Sequence, residues 1–243
     1  MKKEEKIIND LVFLDGLKIV QNKNYFNFSL DSVLLPNFVE ITPNTKKILD
    51  LCTGNAPIPL ILSTKTKANI VGVELQKEIY DLALESVKIN KIDNIRLINK
   101  DVKEIINDFE TDTFDVITCN PPYFKNTINS IKNEEKIKSI ARHEIHINIE
   151  DIIKISKKLL KNNGSLCLIH RTERLFEIIE LMKNNNIEPK RIQFIYPKEG
   201  KNSNLVLIDG RKNGKPGVKL LYPLFVHNND GSYTNEVLEK FGK

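Results

Sequence analysis

The chain of 243 residues lacks a long apolar run. None of its hydrophobic stretches reaches about 18 residues, the length that a helix needs to cross a bilayer. Residues 1–10 are polar and charged, without the apolar stretch of a secretion signal. We therefore expect a cytoplasmic protein with no membrane span.

Cysteine and histidine are also scarce. The three cysteines, Cys52, Cys119 and Cys167, are odd in number, and their spacing matches no zinc site, which argues against a disulfide framework. His143 and His146 are three residues apart, but no third ligand accompanies them. We therefore expect no metal site.

The remaining composition is that of an ordinary globular protein, with 40% hydrophobic and 28% charged residues. The length fits one domain. The net charge of +5 is a weak indication of a nucleic-acid partner. A surplus of lysine codons in an AT-rich genome would produce the same charge without any partner.

From Lys47 onward, short apolar segments alternate with amphipathic ones, which predicts a doubly wound α/β sheet that is mostly parallel. The predicted strands are 48–51, 70–74, 95–98, 114–119 and 164–170. The predicted helices are 56–63, 76–90, 102–109, 149–160 and 174–184. Segments 191–196 and 205–209 are predicted to pair as an antiparallel C-terminal edge.

The N-terminal part predicts a hairpin over 17–28, because two apolar segments flank a turn-forming Asn-Lys-Asn sequence. Ser29 is a candidate helix cap, with Asp31 in the first turn. We expect a single domain over 1–243, in which 1–46 form a hairpin and helix extension and 47–243 form the Rossmann-like core.

Acidic residues follow three successive strands, where ligands bind in open α/β sheets. Glu74 can accept hydrogen bonds from both hydroxyls of a ribose, and Asp101 can accept one from the amine of an adenine. Leu75 and Val102 could form apolar walls for the ring. After the first strand and its Asp50, small residues allow the backbone to approach a ligand closely.

The segment Asp50-Leu51-Cys52-Thr53-Gly54-Asn55-Ala56 resembles motif I of class I S-adenosylmethionine (SAM) methyltransferases. It departs from the family at Cys52 and near Ala56, where glycine is usual. A plain strand–turn–helix and a dinucleotide dehydrogenase are the alternatives. The resemblance implies SAM as cofactor and these cofactor-binding residues: Asp50, Cys52, Thr53, Gly54, Asn55, Glu74, Leu75, Asp101, Val102 and Asn120.

The tetrapeptide Asn120-Pro121-Pro122-Tyr123 directly follows a predicted buried strand. Its two prolines fix the backbone and leave carbonyl groups without regular partners. Asn120 and the Pro121 carbonyl can accept the N–H groups of an amine that is conjugated to a ring, and Tyr123 offers a stacking face. Positioning of this kind needs no strong base. The motif predicts catalytic residues Asn120, Pro121, Pro122 and Tyr123, and resembles that of methyltransferases acting on adenine N6, guanine N2 or glutamine amides.

Four segments together resemble the bacterial tRNA(Val) (adenine37-N6)-methyltransferases. They are 25–35, 50–60, 120–123 and 141–144. The resemblance implies that Phe28, Ser29 and Asp31 lie near the methionine end of SAM. It also implies that Arg142 and His143 flank the substrate entrance, and that the partner is a tRNA.

The C-terminal half combines basic residues with Tyr196, Tyr222 and Phe225, a combination that suits single-stranded RNA. A solvated basic face is the alternative. The candidate RNA-binding residues are Arg142, His143, Lys198, Lys201, Arg211 and Lys212.

Three other functions compete. A protein-glutamine methyltransferase would usually carry a larger N-terminal domain than the 46 residues that precede Lys47. An rRNA guanine-N2 methyltransferase fits the length, but fits the Phe-Ser-x-Asp segment less well. A non-catalytic RNA-binding module is opposed by the intact Asn120 and Glu74.

Overall fold

The computed structural model of the chain describes residues 6–11, 16–23, 28–121 and 147–242. It begins with an antiparallel hairpin of β1 (Lys6–Asp10) and β2 (Lys18–Asn22), followed by helix α1 (Leu30–Phe38). The hairpin that the structure describes pairs β2 with the strand that precedes it. Residues 24–27, which include most of the predicted partner strand, lie outside the described residues, so that pairing stays a prediction.

Polar cross-strand pairs favour this arrangement of the hairpin. Lys18 forms an ion pair with Asp10, and the amide of Asn9 donates to the side-chain oxygen of Gln21 at 2.7 Å. Such pairs are the usual unit of stabilisation between antiparallel strands. The hairpin is also attached to the body of the protein, since the Val20 N–H donates to the Ser86 hydroxyl at 2.9 Å.

Five parallel strands form the main part of a nine-stranded sheet, in the order β5-β4-β3-β6-β7. They are β3 (Lys47–Leu51), β4 (Asn69–Glu74), β5 (Ile95–Asn99), β6 (Phe114–Cys119) and β7 (Leu160–Arg171). The helical segments around them are α2 (Pro57–Lys65), α3 (Lys77–Ile89), a 3₁₀ segment (Val102–Asn107) and α4 (Ile149–Leu159). The predicted alternation is confirmed.

The sheet ends in antiparallel and short strands. Helix α5 (Leu175–Asn184) leads to β8 (Ile187–Lys198), and β9 (Leu205–Lys212) inserts antiparallel between β7 and β8. This confirms the antiparallel C-terminal edge. Three short elements that were not predicted follow: β10 (Lys219–Leu220), β11 (Leu224–His227) and helix α6 (Asn235–Lys240). The two strands are too short to show a periodicity.

Apolar layers cover both faces of the sheet. Neighbouring residues of β3 point to opposite layers, so that Ile48 packs with α1 and α2, whereas Leu49 packs with α4 and α5. A strand buried on both faces is expected to be almost continuously apolar. Among the helices of the described ranges, none is long and apolar enough to cross a membrane.

The order of the strands reverses between β3 and β6. The chain moves outward from β3 to β4 and β5, and then returns to the other side of β3 as β6. In open α/β sheets, ligands bind in the crevice at the carboxyl ends of the strands beside such a switch. The topology therefore predicts that a ligand binds beside the residues that follow β3 and β6.

Candidate active site

The loop after β3 has an unusual backbone. Cys52, Gly54 and Ala56 have φ values of 57°, 59° and 71°, in the left-handed region that side chains rarely adopt. For a residue other than glycine, this conformation costs about 1–2 kcal/mol. Local strain of this kind concentrates at ligand-binding loops. The loop thus has the backbone conformation that a close approach to a ligand requires, even though cysteine and alanine replace two of the usual glycines.

Asp50 lies beneath this loop and is completely buried. Its carboxylate accepts hydrogen bonds from the hydroxyls of Thr118 at 2.6 Å and Thr53 at 2.5 Å. Burial raises the pKa of Asp50 to about 7, against the opposing effect of the two hydroxyls. Asp50 therefore joins strand β6 to the loop, and its effect on a ligand passes through the loop.

Glu74 ends strand β4 and is 6% exposed. One carboxylate oxygen accepts the Gly54 N–H and the other accepts the Gln76 N–H, both at 2.9 Å. Burial raises the pKa of Glu74, while these backbone hydrogen bonds act to lower it. A carboxylate has about four lone-pair positions. The geometry therefore orients the carboxylate and leaves capacity for hydroxyl donors.

Asn99 is a residue of this edge that the sequence motifs did not indicate. Its side-chain amide donates to the carbonyl oxygens of Glu74 and Leu75, both at 2.9 Å. These bonds hold the end of β4 against β5 and leave the Leu75 side chain 37% exposed. Its position directly after the predicted strand 95–98 is the feature of the sequence that could have indicated it.

Asp101 and Val102 follow the neighbouring strand. The Asp101 carboxylate accepts the Lys103 N–H at 2.8 Å and caps the 3₁₀ segment. Val102 is buried and packs in the apolar layer around α4 and α5. Leu75 and Asp101 are thus at the carboxyl edge with partly accessible side chains, while Val102 lies deeper.

Asn120 comes directly after β6, on the other side of β3 from Glu74. Its side chain is half-buried, and its amide nitrogen donates to the hydroxyl of Ser32 at 3.3 Å. Pro121 is buried. The predicted site residues Pro122 and Tyr123 lie outside the described residues.

The first turn of α1 lies beside Asn120. Ser29 is the N-terminal cap residue, as predicted, but its hydroxyl donates to the Asp31 carboxylate and makes no capping bond to a backbone N–H. Asp31 is buried and accepts the Ser32 N–H at 3.0 Å. Phe28 packs against the apolar layer around α1 and α2. These residues follow the hairpin and are brought to the edge formed by the loop after β3.

Two further loop residues are held by their surroundings. The Asn55 amide donates to the carbonyl oxygen of Val20 at 3.0 Å, which ties the loop to the N-terminal hairpin. The Cys52 thiol lies near the buried Cys119 thiol, and burial together with this neighbour raises the pKa of Cys119. The predicted loop residues are therefore assembled at one place, although several side chains point into the protein.

The predicted RNA-binding residues separate into two groups. Strand β8 runs in the same direction as β7, so Lys198 at its end and Lys201 in the following loop lie at the carboxyl edge with Asn120. Arg211 and Lys212 end β9 and therefore lie at the opposite edge. Arg142 and His143 lie outside the described residues.

The two basic residues at the opposite edge have acidic partners. Lys212 forms an ion pair with Asp112 at 2.6 Å, and Arg211 forms one with Glu40 at 3.4 Å. The structure does not bring them to the site. Across the described ranges, no group of three or more His, Cys, Asp or Glu side chains is arranged to hold a metal ion.

The chain is similar to known methyltransferases in sequence. A family model described as "Methyltransferase domain" matches residues 43–215. The tRNA1(Val) (adenine(37)-N6)-methyltransferase of Cytophaga hutchinsonii is 28% identical over 75% of this chain and 76% of its own length. The protein of the same name from Tolumonas auensis is 26% identical over 90% of both chains.

Solved structures share the fold. A predicted O-methyltransferase of Agrobacterium tumefaciens has a TM-score of 0.70 and 19% identity, over 87% of this chain and 95% of its own. A geranyl diphosphate C-methyltransferase of Streptomyces coelicolor, solved with S-adenosyl-L-homocysteine, has a TM-score of 0.57 and 12% identity, over 74% and 76% of the two chains.

Proposed function

This chain belongs to the methyltransferase-domain family, and from that premise we propose that it methylates the N6 amine of adenine 37 in the anticodon loop of a tRNA, with SAM as methyl donor. The observation that carries the proposal is the position of Asn120, whose amide lies at the switch point beside the cofactor loop. The tRNA substrate is supported by the names of relatives that match along 64–90% of the chain.

The residues of the carboxyl edge fit SAM. The backbone of the loop Cys52–Ala56 would contact the methionine part of SAM. The Glu74 carboxylate would accept hydrogen bonds from the two ribose hydroxyls. Leu75 and Asp101 would contact the adenine of the cofactor. Phe28, Ser29 and Asp31 would lie at its methionine end. When bound, SAM supplies an electrophilic methyl carbon.

Asn120 and Pro121 would hold the substrate amine. The Asn120 side-chain oxygen and the Pro121 carbonyl each accept one N–H, which turns the nitrogen toward the methyl carbon. The exocyclic nitrogen of adenine is planar, so alignment supplies most of the acceleration. Asp50 takes no proton from the substrate, because its two oxygens are buried and bonded to Thr53 and Thr118. Pro122 and Tyr123 complete the sequence motif, and Tyr123 would offer its ring for stacking on the target base.

The tRNA would approach the carboxyl edge along β8 and β11. Lys198 and Lys201 lie there, and the rings of Tyr196 and Phe225 are 5.3 Å apart at the same end of these strands. Phosphates pair with lysine, and unpaired bases stack on aromatic rings. Arg142 and His143 would add contacts at the entrance.

A methyl-transfer assay with radiolabelled SAM separates this function from the alternatives. Total tRNA, ribosomal RNA and a release factor are offered to the protein in parallel. We expect label in tRNA alone. Label in ribosomal RNA would favour the guanine-N2 enzyme, label in the release factor would favour the glutamine enzyme, and no label in any of them would favour a non-catalytic module.

A further inference from the structure

The side chain of Asn120 presents two chemically opposite ends. Its oxygen accepts hydrogen bonds, whereas its nitrogen donates them. Only the oxygen can accept an N–H of a substrate amine, because a rotated amide would set its own donors against those of the amine. The reaction therefore depends on which end of the Asn120 amide faces the substrate.

Ser32 is placed to decide this orientation. Its hydroxyl oxygen accepts a hydrogen bond from the Asn120 amide nitrogen at 3.3 Å. When the nitrogen is held on that side, the planar amide turns its oxygen to the other side. The two residues come from distant parts of the chain, the start of α1 and the end of β6.

Ser32 itself has little freedom to move. Its backbone N–H donates to the Ser29 carbonyl and to the Asp31 carboxylate, both at 3.0 Å. The residue is 6% exposed, and the adjacent Ser29 hydroxyl is bonded to the same carboxylate. Hydrogen bonds in such a water-poor environment are stronger than those at the surface. The first turn of α1 is thus a rigid support for the hydroxyl.

We propose that Ser32 is a positioning residue that fixes the Asn120 amide with its oxygen toward the substrate amine. The proposal rests on the proposed function, since it assigns Ser32 a part in the same reaction. Ser32 does not itself contact the substrate. Its contribution is made through Asn120 alone.

The kinetic test compares Ser32→Ala with Ser32→Thr, which keeps the hydroxyl. Loss of one hydrogen bond predicts a decrease of about 3- to 10-fold in kcat for Ser32→Ala, with unchanged KM for tRNA and unchanged SAM affinity. Ser32→Thr should recover most of the loss. Ser63→Ala is the control, because it removes the hydroxyl of another helical serine, which donates to the Leu60 carbonyl within α2 and makes no bond to Asn120.

A double-variant cycle separates positioning from a general structural effect. In the Asn120→Ala background, Ser32→Ala should cause no further loss of turnover, because the amide that it orients is gone. A further loss equal to that in the wild-type background, with an unchanged thermal midpoint, would overturn the proposal.

The side-chain NH₂ signals of Asn120 give a reading that needs no tRNA. In a ¹⁵N-correlated NMR spectrum, they are the pair that disappears in Asn120→Ala. We expect this pair to shift in Ser32→Ala, to return near its original position in Ser32→Thr, and to stay in place in Ser63→Ala. An unmoved pair in folded Ser32→Ala overturns the inference. Absence of methyl transfer to tRNA by the wild-type protein would instead overturn the proposed function, while the NMR pair still decides whether Ser32 orients Asn120.

Discussion

The two edges of the central sheet use polar residues in different ways. At the carboxyl edge, Glu74 accepts two backbone N–H groups, and Asn120 bonds to a serine hydroxyl. Around the amino edge, several charged side chains form ion pairs, as in Lys212–Asp112 at 2.6 Å and Arg191–Glu40 at 2.9 Å.

Under the proposed function, this difference separates the groups that would bind a ligand from the groups that stabilise the fold. A carboxylate that is oriented by backbone N–H groups still has lone pairs that could accept hydrogen bonds from a ligand. An ion pair satisfies both charges locally, and contributes about 0–1 kcal/mol to stability when it is exposed. Arg191, which bonds to both Glu40 and Asp209, is the most enclosed case of the second kind. The hydrogen-bond or ion-pair partner of a charged residue therefore indicates its role better than the residue type does.

The strongest test of the carboxyl edge is Asn120→Ala. Removal of a positioned group at a reacting centre predicts a loss of roughly 100-fold or more in turnover. SAM affinity, measured by calorimetry, should stay nearly the same. Turnover close to that of the wild type would contradict the positioning role of Asn120.

Glu74→Ala removes the carboxylate that is proposed to hold the ribose. Each charge-assisted hydrogen bond contributes about 1.5–3 kcal/mol, so SAM affinity should fall at least tenfold. Glu40→Ala, which removes a carboxylate at the amino edge, serves as the control and should bind SAM normally. Unchanged SAM affinity in a folded Glu74→Ala protein would exclude Glu74 from the site.

The buried carboxyl group of Asp50 should make the stability of the protein depend on pH. Its pKa in the folded protein is raised to about 7 by burial, so the folded state holds a proton that the unfolded state has lost above pH 4. Stability from this group is therefore present at low pH and is lost as pH rises through 7. Between pH 6 and pH 8, the decrease should be about 1.4 kcal/mol.

Asp50→Asn, which cannot titrate, should lack this decrease. Urea unfolding of both proteins at pH 6 and pH 8 measures the difference directly. Equal slopes with pH for the wild type and the variant would show that Asp50 has an ordinary pKa in the folded protein.

The smallest expected effect concerns the lysines of the carboxyl edge. Replacing Lys198 and Lys201 with Ala should weaken tRNA binding and make its salt dependence shallower by about 1.4, since each phosphate contact on single-stranded RNA contributes about 0.7. The control removes Lys46 and Lys67, two exposed lysines at the amino edge, with the same change in net charge. Equal losses of affinity in the two double variants would show that tRNA responds only to overall charge.

Much of the sheet and its carboxyl edge could be predicted from the sequence, because both follow from local patterns. The strands that carry Asp50 and Glu74 and precede Asn120 are short apolar runs, and the carboxyl ends of parallel strands meet at one edge. The pairing of β1 with β2 was not predicted, since Lys6–Asp10 is a short, largely exposed strand whose pairing depends on cross-strand contacts.

Contacts between residues that are distant in the sequence could not be predicted either. Lys198 and Arg211 look alike in the sequence, and only the antiparallel insertion of β9 places them at opposite edges. Asn99 belongs to no motif, and Ser32 lies in segment 25–35 without a role of its own in the sequence. The roles of both depend on the groups that the fold brings beside them.

The most direct test of the account is the position of the transferred methyl group. Purified tRNA is incubated with the protein and SAM that carries an isotopically labelled methyl group, and the nuclease fragments are mapped by mass spectrometry. We expect N6-methyladenosine at position 37 of the anticodon loop, and none when Asn120→Ala replaces the wild type. Label on guanine, label at another position, or no label in tRNA would contradict it.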